Sequence, residues 1–380
     1  MNPTSKFATA PTFPIRLEDL PPLDHVSRLE RCRAALDELD LDALLVTKLE
    51  HIRYLAGFSG SAALLLVGRE RTTFVSDGRY DEQSRQQLGS AGIDADIVIT
   101  VDQQPVLTQA ATGFRRIGLE AGAVTWAAQR RYGGEWFPDA ELVPTEGVIE
   151  AWRVVKEVGE AARMEAAAAI ADRALATLLP RLRDRPSEAE FALELDVAMR
   201  RLGASGPAFE TIVASGANSS RPHHRPGPRP IGPDDLVVVD FGATVDGYRS
   251  DMTRTVCVGE PTAEQRRLYD VVCEAQAAGV AAVRAGREAK EVDAACRDII
   301  TAAGWGERFP HGTGHGVGLE IHEAPHVGRT SAATLTELSV VTVEPGVYLE
   351  GIGGVRTEDS VVVTAEGCRP LTLFPKSLTF

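Results

Sequence analysis

The hydrophobic positions change period along the chain. Val26, Leu29, Cys32, Leu36 and Leu39 recur at helical spacing and predict an amphipathic helix. Short apolar runs follow at Ala43 to Val46, Ala62 to Val67, Thr72 to Val75 and Ile97 to Val101, interleaved with helical stretches around Asp81 to Leu88 and Pro105 to Thr112. That alternation predicts an α/β domain over residues 24–152. Residues 1–23 hold Pro3, Pro11, Pro14, Pro21 and Pro22 with little periodicity, and are expected to form a poorly structured arm. An Ala-rich helix from Glu157 to Leu179 then opens a second domain, 153–380. Within it, Ser187-Glu188-Ala189-Glu190 and Thr262-Ala263-Glu264-Gln265 both read as capping-box helix starts. Helices, a Gly-containing turn (Gly203 to Phe209, Gly304 to Phe309) and strand-like segments follow each. Two αα-then-β halves suggest a duplicated α+β unit with pseudo-twofold symmetry, whose interface is a natural cleft.

Several apolar runs end on acids. Val237-Val238-Val239 leads into Asp240-Phe241-Gly242 and reads as a buried strand. Desolvating an unpaired carboxylate costs several kcal/mol or more, so Asp240 needs a cationic partner. Asp246-Gly247 is a hairpin signal, because Gly accepts the positive φ of such turns. The returning strand, Met252 to Val256, starts beside Asp251, so the hairpin brings two acids together. Like charges in one apolar place repel unless a cation sits between them, and a metal is the leading explanation. Val340 to Val343 ends on Glu344 in the same way, and Glu358 precedes the run Ser360 to Val363. His315 lies in the Gly-dense stretch His311 to Gly318, whose backbone can approach a ligand closely. Arg356, two residues before Glu358, would share its strand face and pair with it. Asp359 reads as a cap or salt-bridge member, Glu323 as a solvated neighbour of His322, and His25 and His51 as structural.

Composition narrows the partners. The 380 residues are 44% hydrophobic and 25% charged, ordinary values for a globular protein, and leave room for two domains. A net charge of −14 argues against a nucleic-acid partner. The five cysteines contain no CxxC pair, so neither a disulfide framework nor a zinc knuckle is expected. No apolar run is long enough to cross a membrane and no signal-peptide core opens the chain, which together suggest a cytoplasmic protein.

Asp240, Asp251, His315, Glu344 and Glu358 stand in the flanks VDFG, SDMTRT, HGTGHGVGLEIHE, VEPGVY and GGVRTEDS. These resemble the pita-bread metallopeptidases, and within them the Xaa-Pro peptidases, prolidase and aminopeptidase P. NSSRPHHRP (Asn218 to Pro226) is similar to the histidine-bearing loop of those enzymes, and YLAGFSGS (from Tyr54) and SDGRY (from Ser76) to their amino-terminal domain. The resemblance covers roughly residues 25–375 and implies a creatinase-like α/β domain followed by a pita-bread catalytic domain.

It further implies that Asp251 and Glu358 bridge two divalent ions, Asp240 holds one, and His315 with Glu344 holds the other. Four carboxylates then balance two dications. Two-metal hydrolases keep their ions about 3.5–4 Å apart and present a hydroxide between them as nucleophile. Oxygen-rich ligation with one imidazole suits Mn²⁺, while Co²⁺, Zn²⁺ or Fe²⁺ would also bind. By the same resemblance Glu344 is the proton shuttle, His322 and His223 hydrogen-bond the scissile carbonyl or its oxyanion, and His311 shapes the proline pocket. His224 is left as the spectator of its pair. Arg356 and Thr253 sit beside the ligands. His326, with Arg329 nearby, stands where archaeal prolidases carry an Arg for the substrate carboxylate, so dipeptidase and aminopeptidase readings both stay open. Asp77, Arg79 and Tyr80 are expected to help close the cleft across a homodimer. Small Xaa-Pro peptides are the implied substrates. Methionine aminopeptidase shares the five ligands but usually lacks so large an amino-terminal domain; creatine amidinohydrolase lacks the full metal set. Non-catalytic pita-bread binding proteins have typically lost ligands.

Overall fold

The computed structural model describes residues 13–380, which form two compact units: Pro22–Trp152, and Arg153–Phe380 together with the described residues up to Pro21. In the first unit, helix α1 (His25–Glu38) buries Arg28, Leu29, Cys32 and Leu36, while Val26 and Leu39 at the ends of the expected stripe are 46% and 37% exposed. Strands β1 (Ala43–Val46), β2 (Leu64–Gly68), β3 (Thr72–Ser76), β4 (Asp96–Ile99), β5 (Arg116–Glu120) and β6 (Glu141–Thr145) make one sheet in the order β4-β3-β2-β1-β5-β6. β1 pairs antiparallel with β2 and parallel with β5. Every residue of β1 is buried, as expected for a central strand covered on both faces. Helices α2 (Leu49–Ala56), α3 (Asp81–Ser90), α4 (Gln103–Ala110) and α5 (Trp126–Arg131) alternate with the strands, and α6 (Val148–Val154) spans the boundary between the units. His51 is buried against Glu120, whose other oxygen accepts from the backbone of Thr47 and Lys48.

In the second unit, α7 (Val158–Leu178) and α8 (Glu188–Arg201) back one set of strands, and α9 (Ala263–Ala282) and α10 (Ala289–Ala302) back another. The alanines of α7 give the sheet a close apolar surface, with Ala167, Ala168, Ala171 and Ala174 fully buried. The first set comprises β7 (Gly206–Pro207), β8 (Ile212–Ser215), β9 (Leu236–Phe241), β10 (Ala243–Val245), β11 (Tyr248–Arg249) and β12 (Met252–Cys257). The second comprises β13 (Gly314–Gly316), β14 (Glu323–Val327), β15 (Val340–Val343), β16 (Gly346–Leu349), β17 (Gly353–Arg356), β18 (Asp359–Val363) and β19 (Cys368–Pro370). β8, β9 and β12 form one sheet, and β14-β13-β15-β18-β19 another. Each half therefore carries its own helix pair and its own apolar core. Residues 13–21 differ from the expected arm: Phe13, Ile15 and Leu20 pack on the first core, and Ile15 N–H donates to Leu202 O at 3.1 Å. The part of the expected arm over residues 1–12 lies outside the described residues.

Candidate active site

One hairpin, the end of β15 and the junction of β17 and β18 carry the acids. Asp246 and Gly247 both have positive φ, 45° and 77°, and close a two-residue turn in which Val245 faces Tyr248. The register continues into Thr253 opposite Asp240. Along β9, Val237, Val239 and Phe241 enter the first core, so the alternation of a strand turns Asp240 to the other face. Gly242 is needed at the bend, because a Cβ there would collide with Ser250 O. Glu358 crosses from the junction of β17 and β18: its N–H donates to Thr253 O at 3.1 Å, and Thr253 Oγ1 donates to Glu358 Oε2 at 2.6 Å.

Asp240, Asp251 and Glu358 consequently each offer an oxygen within 4.8 Å of the others. Asp240 Oδ1 and Glu358 Oε1 are buried with no hydrogen-bond partner among the described residues. Burial raises the pKa of all three acids, and for Asp251 and Glu358 mutual repulsion with neighbouring carboxylates drives it well above the usual range. Unpartnered acceptors in a repelling acid cluster are what a divalent cation satisfies, and the donor set fits one.

His315 and Glu344 face this cluster from β13 and the end of β15. His315 Nε2 lies 3.3 Å from Glu344 Oε1 and 3.6 Å from Asp251 Oδ2, while Nδ1 contacts Gly316 O at 3.0 Å. A carbonyl partner assigns the Nδ1 proton, which leaves Nε2 as the nitrogen available to a metal. Burial disfavours charge on His315, but the bond to Glu344 outweighs it and raises its pKa. Glu344 shows the reverse balance: burial pushes it up, His315, His311 and Arg356 pull it down, and it settles at about 2. Gly314 and Gly316 admit this arrangement, since a Cβ on either would meet Thr342 O or Ala324 O.

A cavity of about 680 Å³ opens over these groups, lined also by His223, His311, His322, His326 and Arg356. The His322 ring stands edge-on to His315 with centroids 4.3 Å apart, and burial lowers its pKa. His311 Nε2 is 2.9 Å from Tyr348 Oη, which accepts from Arg356 Nη1 at 2.8 Å. His224, which also lines the cavity, pairs through Nε2 with Glu188 at 2.8 Å.

Two expectations need correction. Arg356 does not pair with Glu358; its Nη2 donates to Asp240 Oδ2 at 2.6 Å, and its Nε to Thr253 Oγ1 at 3.1 Å. β17 ends at Arg356 and Glu358 lies in the junction beyond it, so the two share no strand face and Arg356 reaches across to β9 instead. Glu323 is not solvated: its side chain is 6% exposed, pairs with Arg153, and lies 3.2 Å from Lys156 Nζ.

The family model for metallopeptidase family M24 matches residues 162–365, and that for the creatinase/prolidase N-terminal domain matches 28–155. The chain belongs to metallopeptidase family M24. Its M24 relatives include an uncharacterized peptidase of Bacillus subtilis, 41% identical over 92% of this chain and 99% of its own length. Among solved M24 structures, an Xaa-Pro dipeptidase from Bacillus anthracis aligns with a TM-score of 0.89 at 40% identity, covering 94% of this chain and 100% of that one. An X-Pro aminopeptidase from Thermotoga maritima aligns at 0.84 and 34%, covering 91% and 99%. The pita-bread fold with a creatinase-type amino-terminal domain is thereby shared, and the chain is a metal-dependent hydrolase of this family.

Sequence reading missed three groups around the M24 site. Tyr348 sits inside a motif whose other members drew attention. Arg153 and Lys156, just ahead of the second domain's Ala-rich helix, belong to no motif in the sequence. Glu188 looked like a first-turn helix acid, and only its place beside a capping Ser hinted at a fixed position.

Proposed function

We propose that this enzyme hydrolyses Xaa-Pro bonds at the amino terminus of short peptides, using two divalent ions held by Asp240, Asp251, His315, Glu344 and Glu358. The observation that carries the reading is the cluster of three acids from separate strands with two buried, unpartnered oxygens, open to a cavity beside His315 and Glu344. The names of the aligned dipeptidase and aminopeptidase supply the substrate class. Bound ions would polarise the scissile carbonyl and make water a nucleophile at neutral pH; Mn²⁺ suits this oxygen-rich set.

The chain's own groups then divide the work. Glu344 takes the proton of the attacking water and returns it to the proline nitrogen as the C–N bond breaks. Its bonds to His315 and Thr342 both fall on Oε1, so Oε2 is the oxygen assigned to this transfer. His322 and His223 hydrogen-bond the carbonyl oxygen and stabilise the charge that grows there. His311, tied to Tyr348, forms the wall beside the proline ring. Proline at the scissile bond has no N–H, so a pocket that asks for none accepts it where a site relying on that hydrogen bond would not. His326 and Arg225 line the same cavity as candidate contacts for the far end of the substrate. The test is kcat/KM on Ala-Pro, Ala-Pro-Ala and Ala-Ala with Mn²⁺ present. Cleavage of either proline peptide with Ala-Ala resistant is expected; inertness on both overturns the reading, and the ratio between them fixes the length preference.

A further inference from the structure

Acids in the first turn of a helix ordinarily face solvent, yet Glu188, the first residue of α8, is fully buried. Its Oε1 accepts from Ser215 N–H at 2.8 Å, Ser215 Oγ at 2.7 Å and Asn218 Nδ2 at 3.0 Å. Its Oε2 accepts from His224 Nε2 at 2.8 Å and Gly227 N–H at 3.2 Å. All five donors belong to residues 215–227, the stretch that carries His223 along the cavity wall. Burial alone would raise this carboxyl's pKa, but the donors outweigh it and hold it below the usual range.

The other side of the same loop is tied to the metal-bearing strands. Arg356 Nη1 donates to Pro222 O at 3.3 Å, and Gly354 N–H donates to Ser219 Oγ at 2.8 Å. Gly354 admits this because a Cβ there would run into Ser219 O. His223 thus stands between two anchored neighbours: Pro222, held by Arg356, and His224, held by Glu188. Ordering a loop costs backbone entropy, and here folding has already met that cost before substrate arrives.

We infer that Glu188 is a positioning residue for the reaction: it gathers the 215–227 loop around one buried carboxylate and so aims His223 at the substrate carbonyl. This rests on the role given to His223 above. In an ordinary structural role, a change at Glu188 would act whether or not the His223 imidazole is present.

A double-mutant cycle on the full-length, Mn²⁺-loaded enzyme separates the two. Glu188→Gln puts an amide N–H₂ among five donors and should lower kcat on an Xaa-Pro peptide about tenfold, with KM and metal content near native. In a His223→Ala background the same change should lower kcat less than about twofold. Equal loss in both backgrounds, or no loss in the native one, overturns the proposal. Should Glu188→Gln fail to fold, His224→Ala, which removes one donor, replaces it in the cycle: a kcat loss confined to the background with His223 supports the inference, and equal or absent loss overturns it. Native kcat in His223→Ala alone overturns the role of His223 and this proposal together. An impaired His223→Ala with an additive cycle overturns only the part given to Glu188.

Discussion

In the proposed mechanism Glu344 both holds a cation and moves a proton, and those roles make different demands. Glu344→Ala should reduce kcat by roughly 10²–10⁴-fold, measured at saturating Mn²⁺. His322→Ala should cost about 10²-fold in kcat while metal content, read by elemental analysis, stays native; metal loss matching the activity loss would make His322 a ligand. The acids were legible because each borders an apolar run, where a charge without a purpose is costly. Partners across strands were not. Arg356 reaches Asp240 because β17 lies over β9, a relation that sequence spacing within one strand does not contain. The choice between His223 and His224 is similar: both line the cavity, but Glu188, 36 residues before His224, ties up the His224 ring.

Turns and junctions carry the site at the next scale. Gly247, at φ +77°, sets the register that places Asp240 opposite Thr253. Gly247→Ala should cost about 1–2 kcal/mol of stability by chemical denaturation, from the left-handed penalty of an added Cβ. The β13–β14 turn behind His322 is fastened by Glu323 to Arg153 and Lys156. Removing Glu323 leaves the buried Lys156 without a carboxylate and Arg153 with Glu320 alone, so Glu323→Ala should destabilise by about 3 kcal/mol, against the negligible effect expected of a solvated acid. Burial opposes charge on Glu323, yet Lys156 and Arg153 prevail and bring its pKa from 4.5 to about 2. Its contribution is therefore fully present above pH 4.5 and fades as pH falls toward 2. The stability gap between native enzyme and Glu323→Gln should close over that interval in denaturation curves. The hairpin was readable from Asp246-Gly247 alone; the clamp was not, since its members lie 170 and 167 residues apart.

Across the molecule, the duplicated architecture was visible as repeated helix starts and strand runs, because amphipathic period and capping are local properties. The acids from both halves meet at the seam, so ion binding and folding are coupled. Without ions, Asp251 and Glu358 have folded pKa values well above the ordinary range, so the ion-free protein loses stability as pH rises through and above that range. Bound cations remove the penalty. Chelation should therefore lower Tm, with Mn²⁺ restoring it, and the drop should shrink as pH falls toward the ordinary carboxylate range; a pH-independent shift would contradict the coupling.

The bare backbone of β13 confines where this active site can diversify. Any side chain replacing Gly314 or Gly316 would strike a neighbouring carbonyl, so that wall has no room to be retailored. Adaptation to a new peptide has more room across the opening, where Phe209, Ile212 and Arg225 line the cavity.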